Sequence, residues 1–250
     1  MKAGLNSNMA QLDLSRFDAV LLDLDGTLVD TLGDFVVALN RMLADLPTPF
    51  AQAQVLASDV ERMVGKGSEH LIRAVLATVQ PGHDAVPSVA DGPALLDLNA
   101  LYSLAWARYQ HHYGAINGSF AQVYPGVRGG LQQLRSSGKR LACLTNKPTA
   151  FARALLKGKG LDEFFDVVYG GDAFERRKPD PMPLLKACEA LGTLPQRTLM
   201  VGDSSNDAQA ARAAGCPVWL VRYGYNHGEP IETVAADGYL DALDQLLAAS

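Results

Sequence analysis

Two carboxylates one residue apart, Asp23 and Asp25, close the apolar run Ala19-Val20-Leu21-Leu22. A pleated strand would send them to opposite faces. They converge on one ligand only if the chain turns there, and Gly26 permits that turn. Two such charges at ~4 Å repel by about 4 kcal/mol at an effective dielectric of ~20. A cluster that acidic takes up a proton unless a cation compensates it. The pair therefore points to a divalent metal, or to a nucleophile with an acid–base group beside it. A turn in which an Asp caps the following helix is the plainer reading, and the rest of the chain decides between them.

Three further clusters favour chemistry. Thr145-Asn146-Lys147-Pro148 sets a hydroxyl and free backbone amides ahead of a helix, which makes a cradle for an oxyanion. Capping by Thr145 or Asn146 is the simpler account of that segment. Lys178 lies in Lys178-Pro179-Asp180-Pro181, where Pro179 fixes the backbone and Pro181 suits a first helical turn. Alone it would read as a solvated lysine. Val201-Gly202-Asp203-Ser204-Ser205-Asn206-Asp207 brings two more acids around a small loop. Asp207 falls at the next helix start, where capping and dipole pairing would account for it. Oxygen-only ligands beside a phosphate-sized cradle suit Mg²⁺ better than Zn²⁺. The five histidines show no metal spacing near these acids. A Walker-type loop, a dinucleotide glycine motif after the first strand and a Gly-x-Ser-x-Gly string are all missing.

These residues need elements to position them. Ala19–Asp23, Leu141–Asn146, Val167–Asp172 and Leu199–Asp203 are each a short apolar run ending in polar residues, and Pro217–Arg222 is a fifth run without an acid. Runs without alternation fit strands covered on both faces, as in parallel sheets. Helical patterns lie between them, so the fold class is α/β, a Rossmann-like parallel sheet with crossover helices. Ligands of such sheets bind beyond the carboxyl ends of the strands, which is where Asp23, Asp25, Thr145, Asn146, Asp172 and Asp203 fall. More than a hundred residues separate Asp25 from the strand at Leu141, far beyond the dozen or so a crossover needs. Helical stripes fill the interval: Leu32, Phe35, Val36, Leu39, Met42 and Leu43; Leu71, Ile72, Val75, Leu76 and Val79; Leu95, Leu98, Leu101, Tyr102 and Tyr109. Residues 80–92 read as a loop. The expected organisation is a core of residues 15–31 with 111–250, and an inserted helical cap of residues 32–110 that excludes water and selects substrates or is a decoration without a chemical role.

At 250 residues the chain can bury one substantial core, or one core and a smaller domain. Its 48% apolar and 20% charged content is ordinary for a soluble protein. A net charge of −5 argues against nucleic acid as the main partner, while leaving room for a local basic pocket. Cys143, Cys188 and Cys216 are scattered and read as reduced thiols. Residues 1–16 lack an apolar signal core, and no run reaches the roughly 20 apolar residues of a membrane span. The expected location is the cytoplasm, and no membrane partner is expected.

The order Asp-x-Asp-Gly-Thr, Thr-Asn, Lys-Pro and Gly-Asp-x-x-x-Asp, from Ala19 to about Gly228, resembles the haloacid dehalogenase superfamily of phosphohydrolases, and the helical insertion resembles that superfamily's helical cap. Asp-Leu-Asp-Gly-Thr-Leu-Val-Asp (23–30), Leu-Thr-Asn-Lys-Pro-Thr (144–149), Gly-Gly-Asp (170–172), Lys-Pro-Asp-Pro (178–181), Val-Gly-Asp-Ser-Ser-Asn-Asp (201–207) and Tyr-Gly-Tyr-Asn-His-Gly-Glu (223–229) are closer still to the bacterial phosphoglycolate phosphatase family. The resemblance implies Asp23 as the nucleophile that becomes an aspartyl-phosphate, and Asp25 as general acid, then base. It implies Mg²⁺ held by Asp23, the backbone carbonyl of Asp25 and Asp203. Thr145, the Asn146 amide and Lys178 would bind the phosphoryl oxygens, and Asp207 would orient Lys178 or a metal-bound water. The implied partner is a small phosphorylated metabolite, 2-phosphoglycolate. Gly65, Lys66 and Gly67 in the insertion would set specificity. Lys66 stands where that family carries Asn or another polar residue, and it would either meet a substrate carboxylate or be a solvated loop lysine. Competing expectations are another ester such as a sugar 6-phosphate, and a receiver-like signalling module that holds its phosphoryl group. Receivers are about half this length and lack the insertion. A dehalogenase would not need Asp25, and nothing favours a mutase.

Overall fold

The computed structural model describes residues 12–80 and 98–248. The chain opens with β1 (Ala19–Leu22) and β2 (Val29–Asp30), then α1 (Leu32–Ala44), α2 (Ala57–Met63), α3 (Ser68–Val79) and α4 (Leu98–Ile116). It continues through β3 (Gln122–Val123), α5 (Val127–Ser136), β4 (Arg140–Leu144), α6 (Thr149–Gly158), β5 (Val167–Tyr169) and α7 (Met182–Leu191). β6 (Thr198–Gly202), α8 (Ser205–Ala214), β7 (Val218–Val221), β8 (Gly238–Leu240) and α9 (Gln245–Ala248) complete it.

Six strands form one sheet in the order β5-β4-β1-β6-β7-β8, and every pair in it is parallel. β1 lies between β4 and β6, with Leu22 opposite Cys143 and Val201. The residues just beyond these positions, Asp23, Thr145 and Asp203, therefore leave the sheet along one edge. The strands carry unbroken apolar runs because both faces are covered. Val20, Leu22, Leu141, Cys143, Leu199 and Val201 pack against Val127, Leu131 and Leu134 of α5 and Leu155 and Leu156 of α6. Ala19, Leu21, Ala142, Leu144 and Met200 pack against Leu184, Cys188 and Leu191 of α7 and Ala208 and Ala211 of α8.

A separate apolar core holds α1 to α4 together. Phe35, Leu39, Met42, Leu43, Val60, Ile72, Val75, Ala105, Tyr109 and Tyr113 meet there, with Tyr225 reaching in from the loop after β7. Each large side chain buried so contributes about 1.5–3 kcal/mol over its exposed state. The antiparallel pair of β2 with β3 joins the two ends of this helical layer where it leaves and re-enters the sheet. Asp34 of α1 reinforces the junction: its buried carboxylate accepts hydrogen bonds from Gly118 N (2.6 Å) and Phe120 N (2.7 Å). Asp34→Ala strands two backbone donors and is expected to lower stability by about 2–3 kcal/mol, read as a lower urea midpoint at unchanged slope.

The short strands β2, β3 and β8 were not among the five expected runs, because two or three residues carry no periodicity to read. The third helical stripe belongs to α4, which runs on to Ile116. A boundary between residues 110 and 111 would cut that continuous helix. Tyr113 and Ile116 extend the stripe of Leu101 and Tyr109 and are buried with them. Residues 81–92 of the expected loop, Leu95 of the stripe and residues 1–11 lie outside the described residues. Among the described residues no helix is long and apolar enough to cross a membrane.

Candidate active site

Asp23, Asp25, Thr145, Asn146, Lys178 and Asp207 line one cavity at the carboxyl edge of the sheet, with Lys147, Ser204 and Asn206. Phe35, Val64, Gly65, Gly67, Ser68 and Leu71 close it from the helical layer.

Lys178 is the hub of the acidic side. Its buried ammonium lies 2.9 Å from Asp23 Oδ1, and it donates to Asp207 Oδ1 (2.7 Å) and to the Leu144 carbonyl (2.7 Å). Burial alone would lower the Lys178 pKa, yet Asp207 and Asp23 reverse this and hold it above the usual lysine range. The Asp23 contact is an ion pair off the hydrogen-bonding direction, so Asp23 Oδ1 is buried without a hydrogen-bond donor. Asp207 is the first-turn acid of α8. Its Oδ2 accepts from Asp203 N (3.2 Å), Ser204 N (3.2 Å) and Ser204 Oγ (2.8 Å). Both of its oxygens are thus committed to holding Lys178 and the loop after β6.

Asp203 is buried, and its Oδ2 accepts from Tyr225 N at 2.8 Å. Gly224 lies so close that a Cβ there would sit 2.1 Å from Asp203 Cβ. No cation among the described residues pairs with Asp203. Burial, then the charges of Asp23 and Asp207, push its carboxyl well above the usual range. Burial likewise pushes Asp23 up to about 7, Lys178 opposing and Asp207 and Asp25 adding.

The donor set fits a divalent cation. Asp23, Asp203 and Asp207 each present an oxygen within 4.8 Å of the others. Four carboxylates, with Asp25, face only two ammonium groups, Lys147 and Lys178. With all four ionised, two negative charges would remain over, and the upward shifts of Asp203 and Asp23 mark where a cation is wanted. Because Asp207 is committed, Asp23 and Asp203 are the side chains left for the ion, with oxygen-only chemistry.

The titration sense follows. An isolated Asp titrates near 3.8 and Asp23 in the folded chain near 7, so between these values the folded state holds a proton that the unfolded state has lost. Stability of the metal-free protein is therefore expected to fall as pH rises from about 4 through 7. Thermal melts with EDTA across that range check the slope, and Mg²⁺ at pH 8 is expected to raise the melting point.

The remaining expected residues divide. Thr145 is buried on the cavity wall, and its Oγ1 accepts from Lys147 N at 3.1 Å. The Asn146 side chain donates to the Lys178 carbonyl (2.8 Å) and to the Gly65 carbonyl (2.9 Å), bracing the loops on either side. Gly65 O also accepts from Asn206 Nδ2 at 3.1 Å. Gly65 and Gly67 have positive φ of 104° and 88°, a backbone that glycine adopts without penalty. Lys66, between them, is exposed and does not line the cavity.

Two groups have no site role assigned from sequence, although the string of the second, Tyr223–Glu229, is among those that carry the family resemblance. Lys147, next to the Thr-Asn pair, buries its side chain to 2% exposure and places Nζ 2.7 Å from Asp25 Oδ1, whose second partner is Thr31 Oγ1 at 2.8 Å. Its charge had been passed over because neighbours in sequence say nothing of the aromatic rings, Phe35 and Tyr113, at 4.7 and 4.9 Å from Nζ. The other is the loop Tyr223–Glu229. Tyr225 Oη donates to Asp30 (2.8 Å) and accepts from Thr31 N (2.7 Å), while His227 Nδ1 lies 2.8 Å from the Val64 carbonyl. The segment thus ties Asp203 to the helical layer. Its unusual string was the available signal.

A parallel sheet with these acids and lysines at one edge defines a class. The chain belongs to the haloacid dehalogenase-like hydrolases, whose family model matches residues 17–215. Among its relatives it is similar to the phosphoglycolate phosphatase of Thiobacillus denitrificans, 40% identical over 90% of this chain and 92% of that protein. It is also similar to the plasmid phosphoglycolate phosphatase of Cupriavidus necator, 43% identical over 91% of this chain and 90% of that one. A crystal structure described as a predicted phosphoglycolate phosphatase from Haemophilus somnus superposes with a TM-score of 0.81 at 29% identity, over 93% of this chain and 97% of that one. The chain is thus an enzyme of the phosphatase kind.

Proposed function

We propose that this enzyme is a Mg²⁺-dependent phosphomonoesterase that converts 2-phosphoglycolate to glycolate and inorganic phosphate through an aspartyl-phosphate. The observation that carries the reaction type is Asp23, buried against Lys178 within a cluster of three acids that could hold a metal ion. The substrate rests on the two phosphoglycolate phosphatase relatives, which match nine tenths of the chain.

In the proposed cycle a carboxylate oxygen of Asp23 attacks phosphorus and the bond from phosphorus to the bridging oxygen breaks. Asp25 gives its proton to the departing alkoxide, releasing glycolate. Water then attacks the aspartyl-phosphate, Asp25 takes a proton from it, and phosphate leaves with Asp23 restored. Lys178 and the hydroxyl of Thr145, with the backbone amide of Asn146, carry the charge of the phosphoryl oxygens. Asp207 keeps Lys178 charged and in place. Asp23 and Asp203, with the carbonyl of Asp25, would hold Mg²⁺, which when bound supplies the positive charge that lets an anionic carboxylate meet an anionic phosphate. We take residues 32–116 as the cap and the rest of the sheet-bearing chain as the core, a division supported by the separate apolar core of α1 to α4. Three free buried cysteines support a cytoplasmic site of action.

A sugar 6-phosphate is the competing substrate. The deciding assay measures phosphate release from a panel of small esters, with Mg²⁺ and with EDTA. Fast turnover of 2-phosphoglycolate that EDTA abolishes is expected. Turnover that EDTA leaves untouched would end the metal assignment, and preference for a sugar phosphate would end the substrate assignment.

A further inference from the structure

We propose that Lys147 recognises a carboxylate on the leaving group of the substrate and so sets specificity; this deepens the phosphoglycolate reading above and rests on it. Among the described residues two cations line the cavity, Lys178 and Lys147. An ammonium has three donors, and Lys178 directs its ammonium to Asp207, the Leu144 carbonyl and Asp23. Lys147 gives one to Asp25 Oδ1 and has no other acceptor among the described residues. Its ammonium is steadied instead over the rings of Phe35 and Tyr113, as cations over aromatic faces are. The Lys147 ammonium therefore stands on the cavity wall as a buried charge with donors to spare.

The chemistry says what meets them. Asp25 must reach the bridging oxygen to protonate it, and in 2-phosphoglycolate the carboxylate carbon is two bonds from that oxygen. A cation 2.7 Å from Asp25 is thus beside the substrate carboxylate whenever Asp25 is in place to act. Lys66, read from sequence either as a carboxylate contact or as a solvated loop lysine, is exposed and outside the cavity lining.

The test compares 2-phosphoglycolate with 2-hydroxyethyl phosphate, which replaces the carboxylate by a neutral group of similar size. The wild-type enzyme is expected to favour 2-phosphoglycolate in kcat/KM. Lys147→Met, apolar and of similar length between the two rings, is expected to lower kcat/KM for 2-phosphoglycolate about 10–100-fold more than for 2-hydroxyethyl phosphate, the range of a charge-assisted hydrogen bond. Lys147→Arg, which keeps the charge, is expected to retain most of the preference. Equal losses on both esters would mean that Lys147 acts through Asp25 alone and would overturn the proposal. Lys147→Gln carries the same comparison if the Met variant does not fold. A wild-type enzyme that favoured the hydroxyethyl ester would instead overturn the substrate reading itself, so the two failures are told apart.

Discussion

Asp23→Asn is expected to abolish turnover, by on the order of 10⁴-fold or more, with the fold intact. The exchange is nearly isosteric, and Lys178 keeps Asp207 and the Leu144 carbonyl as partners. What disappears is the anionic oxygen that would bond to phosphorus. Losing a nucleophile costs far more than losing a binding contact, because every later step depends on the covalent state. Phosphate release and a circular-dichroism melt, taken on the same preparation, separate the two effects. Acid quenching of the wild type with radiolabelled substrate is expected to trap label on protein, and the Asn variant to trap none. Activity above about 1% of wild type in the variant would remove Asp23 from the role.

Lys178→Met is expected to cost both activity and stability. The wild-type ammonium is buried between Asp23 and Asp207. Deleting it leaves two buried carboxylates facing each other, and breaking a buried pair in this way costs about 3–5 kcal/mol. Lys178 is also the group that opposes the upward drift of Asp23. Without it Asp23 holds its proton to higher pH, and the pH–rate profile should shift upward with whatever activity remains. The stability loss should shrink at pH 5, where a proton can stand in for the missing ammonium. Urea denaturation at pH 5 and pH 8 reads this directly. An equal loss at both pH values would mean that the packing of the alkyl chain, and not its charge, is what Lys178 supplies.

The acidic half of the site was legible in sequence because parallel strands announce themselves as short unbroken apolar runs. The residue after each run must then fall at one edge. Asp23, Thr145 and Asp203 needed only that rule, whereas Lys178 follows no such run and was legible only through its resemblance to a family motif. Lys147 was hidden by the same logic. A lysine after Asn146 reads as solvated unless one knows that Phe35 of α1 and Tyr113 of α4 fold over it, and those contacts span more than thirty residues of chain. Lys66 shows the converse. Flanked by two glycines in the insertion it reads equally as a ligand contact and as a solvated loop lysine, and it is exposed between two glycines of positive φ. The extent of α4 was within reach, since Tyr113 and Ile116 continue the spacing of Tyr109. β8 was not, because Gly238-Tyr239-Leu240 becomes a strand only when β7 offers it an edge.

The Gly65 carbonyl takes hydrogen bonds from Asn146 and Asn206, two side chains rooted in different crossovers of the sheet. Asn146 spends its other donor on the backbone of Lys178. If the helical layer were to lift from the sheet, that seam would part and the bracing of the Lys178 backbone would loosen in the same movement. A substitution that tightened the seam would lengthen the residence time of phosphate, giving an enzyme that binds more firmly and cycles more slowly.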